Sequence, residues 1–301
     1  MAISSQQIEE SVPVAETSSE HHPLRIHRID PGRGWHAINF AELWSYRTLI
    51  WRLAMRDIGV RYKQTLLGAA WAIIQPLLTT LIMFVTFYRV AGLKVDGPAP
   101  QFVLMFAGMI IWQLFETSLT NAGNSLVASQ NLITKVYFPR LTIPLSSLGS
   151  GLLDFAIGLG MLALLMAWYR VPPGWTIVFM PAFVLLTLLA ATAIGLWLSA
   201  LNVQYRDVRH AIPFLTRIWF FATPIFYKVE DIARHLGPRW MTAYSLNPMT
   251  GAVEGFRWAM FGGTAHPSFH ILAISAGATI VLMIVGLFYF RRLEQSFADV
   301  V

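Results

Sequence analysis

His266 and His270 stand four residues apart, a spacing that suits two imidazoles on one helical face holding a metal ion. Pro267 follows the first directly and no carboxylate is close in sequence, so no metal site is expected there. Two carboxylates are better placed to do chemistry. Asp154 falls near the middle of one apolar run, and Glu116 toward the inner end of another. Charge at membrane depth is costly unless it faces protein or a water-filled path. A proton-coupled carrier would use such groups, and a structural hydrogen bond across packed helices would use Asp154 equally well. The motifs that turn over nucleotides or cleave esters and peptides are absent. The chain has no G-x-x-x-x-G-K-S/T phosphate loop, no H-E-x-x-H and no G-x-S-x-G, and no Asp-x-Asp pair for a metal-dependent glycosyltransferase. With no cysteine, thiolate metal sites and disulfides are excluded as well.

The elements that would position these side chains are dictated by lipid. Of the 301 residues 55% are hydrophobic and 13% charged, against roughly a quarter charged in a soluble domain. A hydrocarbon layer about 30 Å thick needs about 20 apolar residues in a helix. That ruler gives six expected spans, near residues 66–88, 102–119, 142–168, 176–201, 211–227 and 271–290. Glu116 and Arg217 weaken the second and fifth. The expected fold class is thus all-α integral membrane. Its parts are a polar tail over residues 1–42, an interface helix over 43–64, a six-span domain over 65–293 and a short C-terminus over 294–301. The acidic start, with Glu9, Glu10, Glu16 and Glu20, is no cleavable signal peptide and reads as a disordered tail.

Cationic loops set the orientation. With both termini cytoplasmic, the inner segments hold Arg25, Arg28, Arg33, Arg47, Arg52, Arg56, Arg61, Lys63, Lys135, Arg140, Arg206, Arg209, Arg291 and Arg292. The outer ones hold Arg89, Lys94, Arg170, Lys228, Arg234, Arg239 and Arg257, about half as many. The net charge of +6 is therefore spread over the flanks of apolar runs, and a nucleic-acid partner is not expected. Ahead of the first span, Trp44, Trp51, Met55, Ile58 and Tyr62 share one helical face, while Arg52, Arg56 and Lys63 share another. That pattern suits a helix lying in the headgroup layer. Between the fifth and sixth spans, Trp240–Leu246 and Met249–Met260 are too short to cross comfortably, and Asn247-Pro248 precedes the second. Two short helices dipping into the outer leaflet are expected, with a loop lying on the membrane as the alternative.

Four stretches then resemble one family, the transmembrane subunits of ABC exporters for cell-surface polysaccharides such as O-antigen, capsule and teichoic acid. They are Arg56-Asp57-Ile58-Gly59-Val60-Arg61-Tyr62-Lys63-Gln64-Thr65 with Leu67-Gly68 and Gln75-Pro76; the run from Asn131 to Arg140; the run from Asn202 through Tyr205-Arg206-Asp207 to Pro224; and Leu246-Asn247-Pro248 with Glu254-Gly255-Phe256-Arg257. The resemblance covers about Leu43 to Arg292. It implies a homodimer in the cytoplasmic (inner) membrane joined to two cytoplasmic ATPase subunits, which would carry the ATP and Mg. No cofactor is expected on this chain.

It further implies that Gln130, Asn131, Lys135, Tyr137, Phe138 and Arg140 form a coupling segment docking on the ATPase. The residue-level alternative is a connector whose Lys135 and Arg140 touch headgroups. A long glycan needs a continuous path at the dimer centre, where aromatic rings bind flat sugar faces and still allow sliding. Candidates are Trp112, Phe115, Trp219, Phe220, Phe221 and Tyr227, with packing between helices as the alternative for each. Arg52, Arg56, Arg61 and Lys63 would receive the pyrophosphate of a lipid-linked glycan, or simply anionic lipid. Rival readings are an exporter of lipid or another small molecule, and a membrane enzyme acting on a polyprenyl-linked sugar.

Overall fold

The computed structural model describes residues 40–63, 68–90, 92, 99–227, 229, 238–262 and 268–294. The polar tail, most of the loop after the first span, and His266 lie outside these residues. Every regular element among them is helical. In chain order these are α1 (Phe40–Ser45), α2 (Arg47–Tyr62), α3 (Trp71–Phe84, continued to Val90 as a π-helix), α4 (Gln101–Ala128), α5 (Gln130–Ile133), α6 (Thr142–Ser146), α7 (Leu148–Trp168), α8 (Met180–Gln204), α9 (Val208–Phe221), α10 (Pro238–Ser245), α11 (Pro248–Phe261) and α12 (Phe269–Glu294). Five helical runs are long and apolar enough to cross a membrane: Trp71–Tyr88, Gln101–Ala128, Thr142–Trp168, Trp175–Gln204 and Phe269–Glu294.

α4 is the centre of the bundle. It packs on α3, α7, α8, α9 and α11, and most of its residues are buried. The expected span ends near residue 119, ahead of Asn121, Asn124 and Ser125, side chains that would be costly in lipid. Inside protein they are not. Asn121 Nδ2 donates to Ser150 Oγ at 2.8 Å, and Asn202 Nδ2 donates to the Gly123 carbonyl at 3.0 Å. Helix–helix contact in lipid gains little from apolar burial and depends on close approach of small residues. Gly195 of α8 illustrates it: a Cβ there would lie 2.6 Å from Ala122 Cβ of α4. At Gly286 of α12 a Cβ would run into the Ala193 carbonyl oxygen of α8.

Those two helices run parallel. Gly286 meets Ala193, and Tyr289 stacks edge-on against Trp197 further along both. Between these parallel neighbours the chain runs back along the bundle, through α9 together with the segment that follows. Gly123 of α4 faces Ile212, Phe115 packs on Trp219, and Trp112 packs on Phe220. Beyond them, Arg257 links the Leu104 carbonyl to those of Pro224 and Ile225. The chain thus passes along α4 from the level of Gly123 to that of Leu104, about 28 Å at 1.5 Å per residue. The expectation of one helix over residues 211–227 is corrected here. The helix is the 14-residue α9, and the residues after it up to Tyr227 are non-helical. Pro224 has no N–H to continue the ladder.

α10 and α11 form a hairpin inserted into the bundle. Its tip, Ser245–Asn247, meets Ser275, well inside α12, whose hydroxyl donates to the Ser245 carbonyl at 2.8 Å. The far end of α11 emerges beside Thr176, whose hydroxyl donates to the Trp258 and Ala259 carbonyls at 3.0 and 3.1 Å. α11 buries most of its residues among α4, α8 and α12.

Candidate functional site

The end of the bundle that carries α2 gathers most of the predicted site residues. α4 stops at Ala128, and α5 makes one turn before an irregular stretch leads to α6. Ile133 and Phe138 point inward, with Phe138 only 5% exposed. They root the segment in its own subunit. Gln130, Asn131, Lys135, Val136 and Tyr137 point outward, Tyr137 at 74% exposure. Arg140 does not join that surface. Its guanidinium donates to the Glu294 carbonyl and its N–H to Glu294 Oε1 at 3.3 Å, tying the segment to the last turn of α12. Glu294 in turn pairs with Arg291 at 3.0 Å.

α2 lies against α6 and α7. Ala54 touches Gly149 so closely that a Cβ on the glycine would sit 2.8 Å from Ala54 Cβ. Trp44, Trp51 and Met55 are exposed, as a lipid-facing stripe requires. The expectation that Arg61 serves anionic lipid and that Tyr62 continues the aromatic stripe is corrected. Arg61 Nη2 pairs with Asp154 Oδ2 at 2.8 Å, and the Tyr62 hydroxyl donates to Asp154 Oδ1. Burial and the Asp154 carboxylate push the Tyr62 phenol up to about 12, so it remains a donor at neutral pH. Asp154 is 4% exposed and answers a cation and a phenol from α2. These contacts fasten α2 to α7. Arg52, Arg56 and Lys63 stay exposed, with Arg56 beside Asp57 at 2.9 Å.

The aromatic candidates form one stack inside the subunit. Trp112 and Phe115 are fully enclosed. Ring centroids lie 5.3 Å apart for that pair, 5.6 Å for Trp112 and Phe220, and 5.2 Å for Phe115 and Trp219. Trp112 Nε1 donates to Glu116 Oε2 at 3.1 Å. Because α4 runs on to Ala128, Glu116 is mid-helix and not at the inner end. Tyr227 is partly buried and hydrogen-bonds the Tyr244 hydroxyl. Of the six aromatics only Phe221 is exposed. It continues an open face of α9 made by Phe214, Leu215, Arg217 and Ile218.

Two further residues organise the end of the bundle remote from α2, and sequence reasoning missed both roles. Arg257 had been counted among outer-loop cations. Its guanidinium instead sits inside, with Nε on the Leu104 carbonyl at 3.1 Å, Nη1 on Pro224 at 3.0 Å and Nη2 on Ile225. Glu254 one turn earlier balances it at 3.7 Å. Asn247 caps α11 by accepting from Met249 N at 3.0 Å, and also accepts Trp219 Nε1 at 2.8 Å. Its amide donates to the Ala222 carbonyl and Thr223 Oγ1 at 3.1 and 3.2 Å. The Asn-Pro signature of a helix start was legible; the second half of the network came from α9, remote in sequence. Asn247→Ala is expected to cost about 2 kcal/mol, from a lost cap and a stranded indole N–H. Asn247→Asp, which keeps the acceptor, should cost less. Thermal unfolding in detergent measures both, and an unshifted Ala variant would remove Asn247 from this role.

Residues 48–261 match the description "ABC-2 type transporter". The chain belongs to the ABC-2 type transporter family. It is 30% identical over 259 residues to the O-antigen export system permease protein RfbA of Myxococcus xanthus, covering 86% of this chain and 97% of that one. It is 26% identical over 278 residues to the capsule polysaccharide export inner-membrane protein CtrC of Neisseria meningitidis, covering 87% and 97%. Against the polysialic acid transport protein KpsM of Escherichia coli the identity is 25% over 252 residues, covering 81% and 93%. This ABC-2 permease is thus similar to export permeases along nearly their whole length.

Proposed function

We propose that this permease subunit exports a polysaccharide, lipid-linked at its inner end, across the cytoplasmic membrane as a homodimer driven by two ATPase subunits. The names of the similar permeases support the cargo. The observation that carries the mechanism is the Gln130–Arg140 segment, rooted by Ile133 and Phe138 and open at Asn131, Lys135 and Tyr137. A short helix held at its base and exposed at its tip is suited to dock in a moving cleft. ATP and Mg reside on the partner, since this chain has no phosphate loop. Nucleotide-driven motion reaches the bundle through Arg140 and Glu294, and through the end of α4.

The membrane is crossed six times, with α9 and its non-helical extension making the fifth passage and both termini cytoplasmic. The cationic bias of the α2 end supports this orientation. Arg257 lies inside the protein, so discounting it widens that bias. The open face of α9 carries Arg217, a cation too costly for lipid. It faces the second copy across a hydrated path, with Phe221 among the aromatic contacts to passing sugars. Trp112, Phe115, Trp219 and Phe220 stiffen the wall behind. Arg52, Arg56 and Lys63 remain to receive lipid pyrophosphate, membrane lipids being the competing ligand.

Affinity purification in mild detergent tests the assembly: a P-loop ATPase should co-purify at equal ratio. Lys135→Ala with Tyr137→Ala should cut export at least about tenfold, the worth of 1.4 kcal/mol, and reduce ATPase recovery while dimer yield holds. Full export by that double variant would remove this surface from coupling.

A further inference from the structure

At the end of the bundle opposite α2, α7 stops in an unusual way. The Val171 N–H bonds the Met166 carbonyl at 2.9 Å, and the Arg170 N–H bonds Ala167 at 3.2 Å. This is a Schellman ending, in which the residue at the reversal takes the left-handed conformation and is usually glycine. Here it is Arg170, with φ of 56°, the one non-glycine among the described residues with positive φ. Strain of this kind is kept where the side chain is needed.

The side chain stands at the rim of an apolar cleft of about 530 Å³, lined by Met166, Ala167, Val171, Ile177 and Met260 besides Arg170. Its walls are held rigidly. Thr176 fastens the loop to the end of α11, and Gly174 packs on Gly262 so tightly that a Cβ would lie 3.1 Å from its Cα. Exposed Trp168 and Tyr169 directly precede Arg170 in the chain, and exposed Trp175 follows in the same connection to α8. Such a belt marks headgroup depth. No carboxylate pairs with Arg170 among the described residues.

We propose that this cleft holds one acyl chain of an anionic phospholipid whose phosphate is bound by Arg170. The two halves of the site match the two halves of such a molecule. The lining is apolar along the cleft and cationic only at its mouth, and an unpaired guanidinium beside low-dielectric surface favours a phosphate with net negative charge. The lipid wedges the α7–α8 turn against the α11 end of the inserted hairpin. The proposal rests on the membrane reading of this end of the bundle, not on the nature of the cargo.

Native mass spectrometry of the purified full-length protein titrated with phosphatidylglycerol reads the binding directly. Arg170→Gln should weaken retention about tenfold, the usual scale for one charge-assisted phosphate contact. Ala167→Phe, which fills the cleft, should abolish it. Arg170→Gly is the informative control: it relieves the left-handed strain, so its melting midpoint should rise without lipid while retention falls. Equal retention by wild type and all three variants would overturn the site. So would displacement of phosphatidylglycerol by a polyprenyl phosphate at lower concentration, which assigns the cleft to a substrate anchor. Since the chain has no cysteine, Ala167→Cys adds the last arm. Disulfide-linked dimers in the membrane would place a second copy there and refute the lipid.

Discussion

Arg257→Met is expected to destabilise the protein by about 3–5 kcal/mol, the scale for removing one member of a buried charged network. The guanidinium is the donor for three carbonyls, those of Leu104, Pro224 and Ile225. Two of these belong to the stretch where α9 has ended and no helical N–H is available. Unsatisfied backbone inside a membrane protein is costly, so the non-helical stretch after α9 depends on this one side chain. Room for it is made by Gly108 of α4, where a Cβ would lie 2.6 Å from Nη2. Arg257→Lys keeps charge without the planar fork and should recover only part of the loss. Gly108→Ala should mimic the defect by displacing the guanidinium. Unfolding midpoints in detergent, with membrane abundance in cells, check all three. A Met variant as stable and abundant as wild type would show that other donors serve these carbonyls.

The second large effect concerns Arg61 and Asp154. Arg61→Leu leaves a carboxylate with 2% side-chain exposure facing only the Tyr62 hydroxyl, and about 3 kcal/mol of destabilisation is expected. Asp154→Leu should be milder, because Arg61 is 40% exposed and can turn to water or lipid phosphate. The double variant should be nearly as stable as wild type, since matched apolar groups often replace a buried pair at little cost. Retained export by the double variant would follow if Asp154 only fastens α2 to α7. Restored stability with abolished export would instead give Asp154 a direct part in transport, against the reading taken here. A double-mutant cycle on unfolding midpoints, paired with an export assay, separates the two.

Helices form at Arg47–Tyr62 and Gln130–Ile133, within the stretches where the sequence places an interface helix and a coupling segment, because each is local. An amphipathic stripe, an Asn-Pro helix start and a run of apolar residues are all set within a few residues of chain. The sequence by itself also determined the solvent: 13% charge cannot cover a water-facing surface of this size. It established that the chain has no phosphate loop, and its motifs resembled the family that the comparisons then showed.

What tertiary structure decided were the partners of polar groups, since hydrogen bonds and ion pairs join residues far apart in sequence. The second span is expected to end near residue 119, yet α4 runs on because Asn121 and Asn124 meet Ser150 and Asn202. Arg257 read as a loop cation until three carbonyls closed on it. Arg61 read as a lipid contact until Asp154, far along the chain, took it. Aromatic rings show the same limit: Trp112 and Phe115 are candidates for sugar contact by residue type, but only packing against Phe220 and Trp219 shows that they are enclosed within the subunit. Hydrophobicity is a property of each residue and so survives in the sequence, whereas satisfaction of a buried donor or charge is a property of a pair.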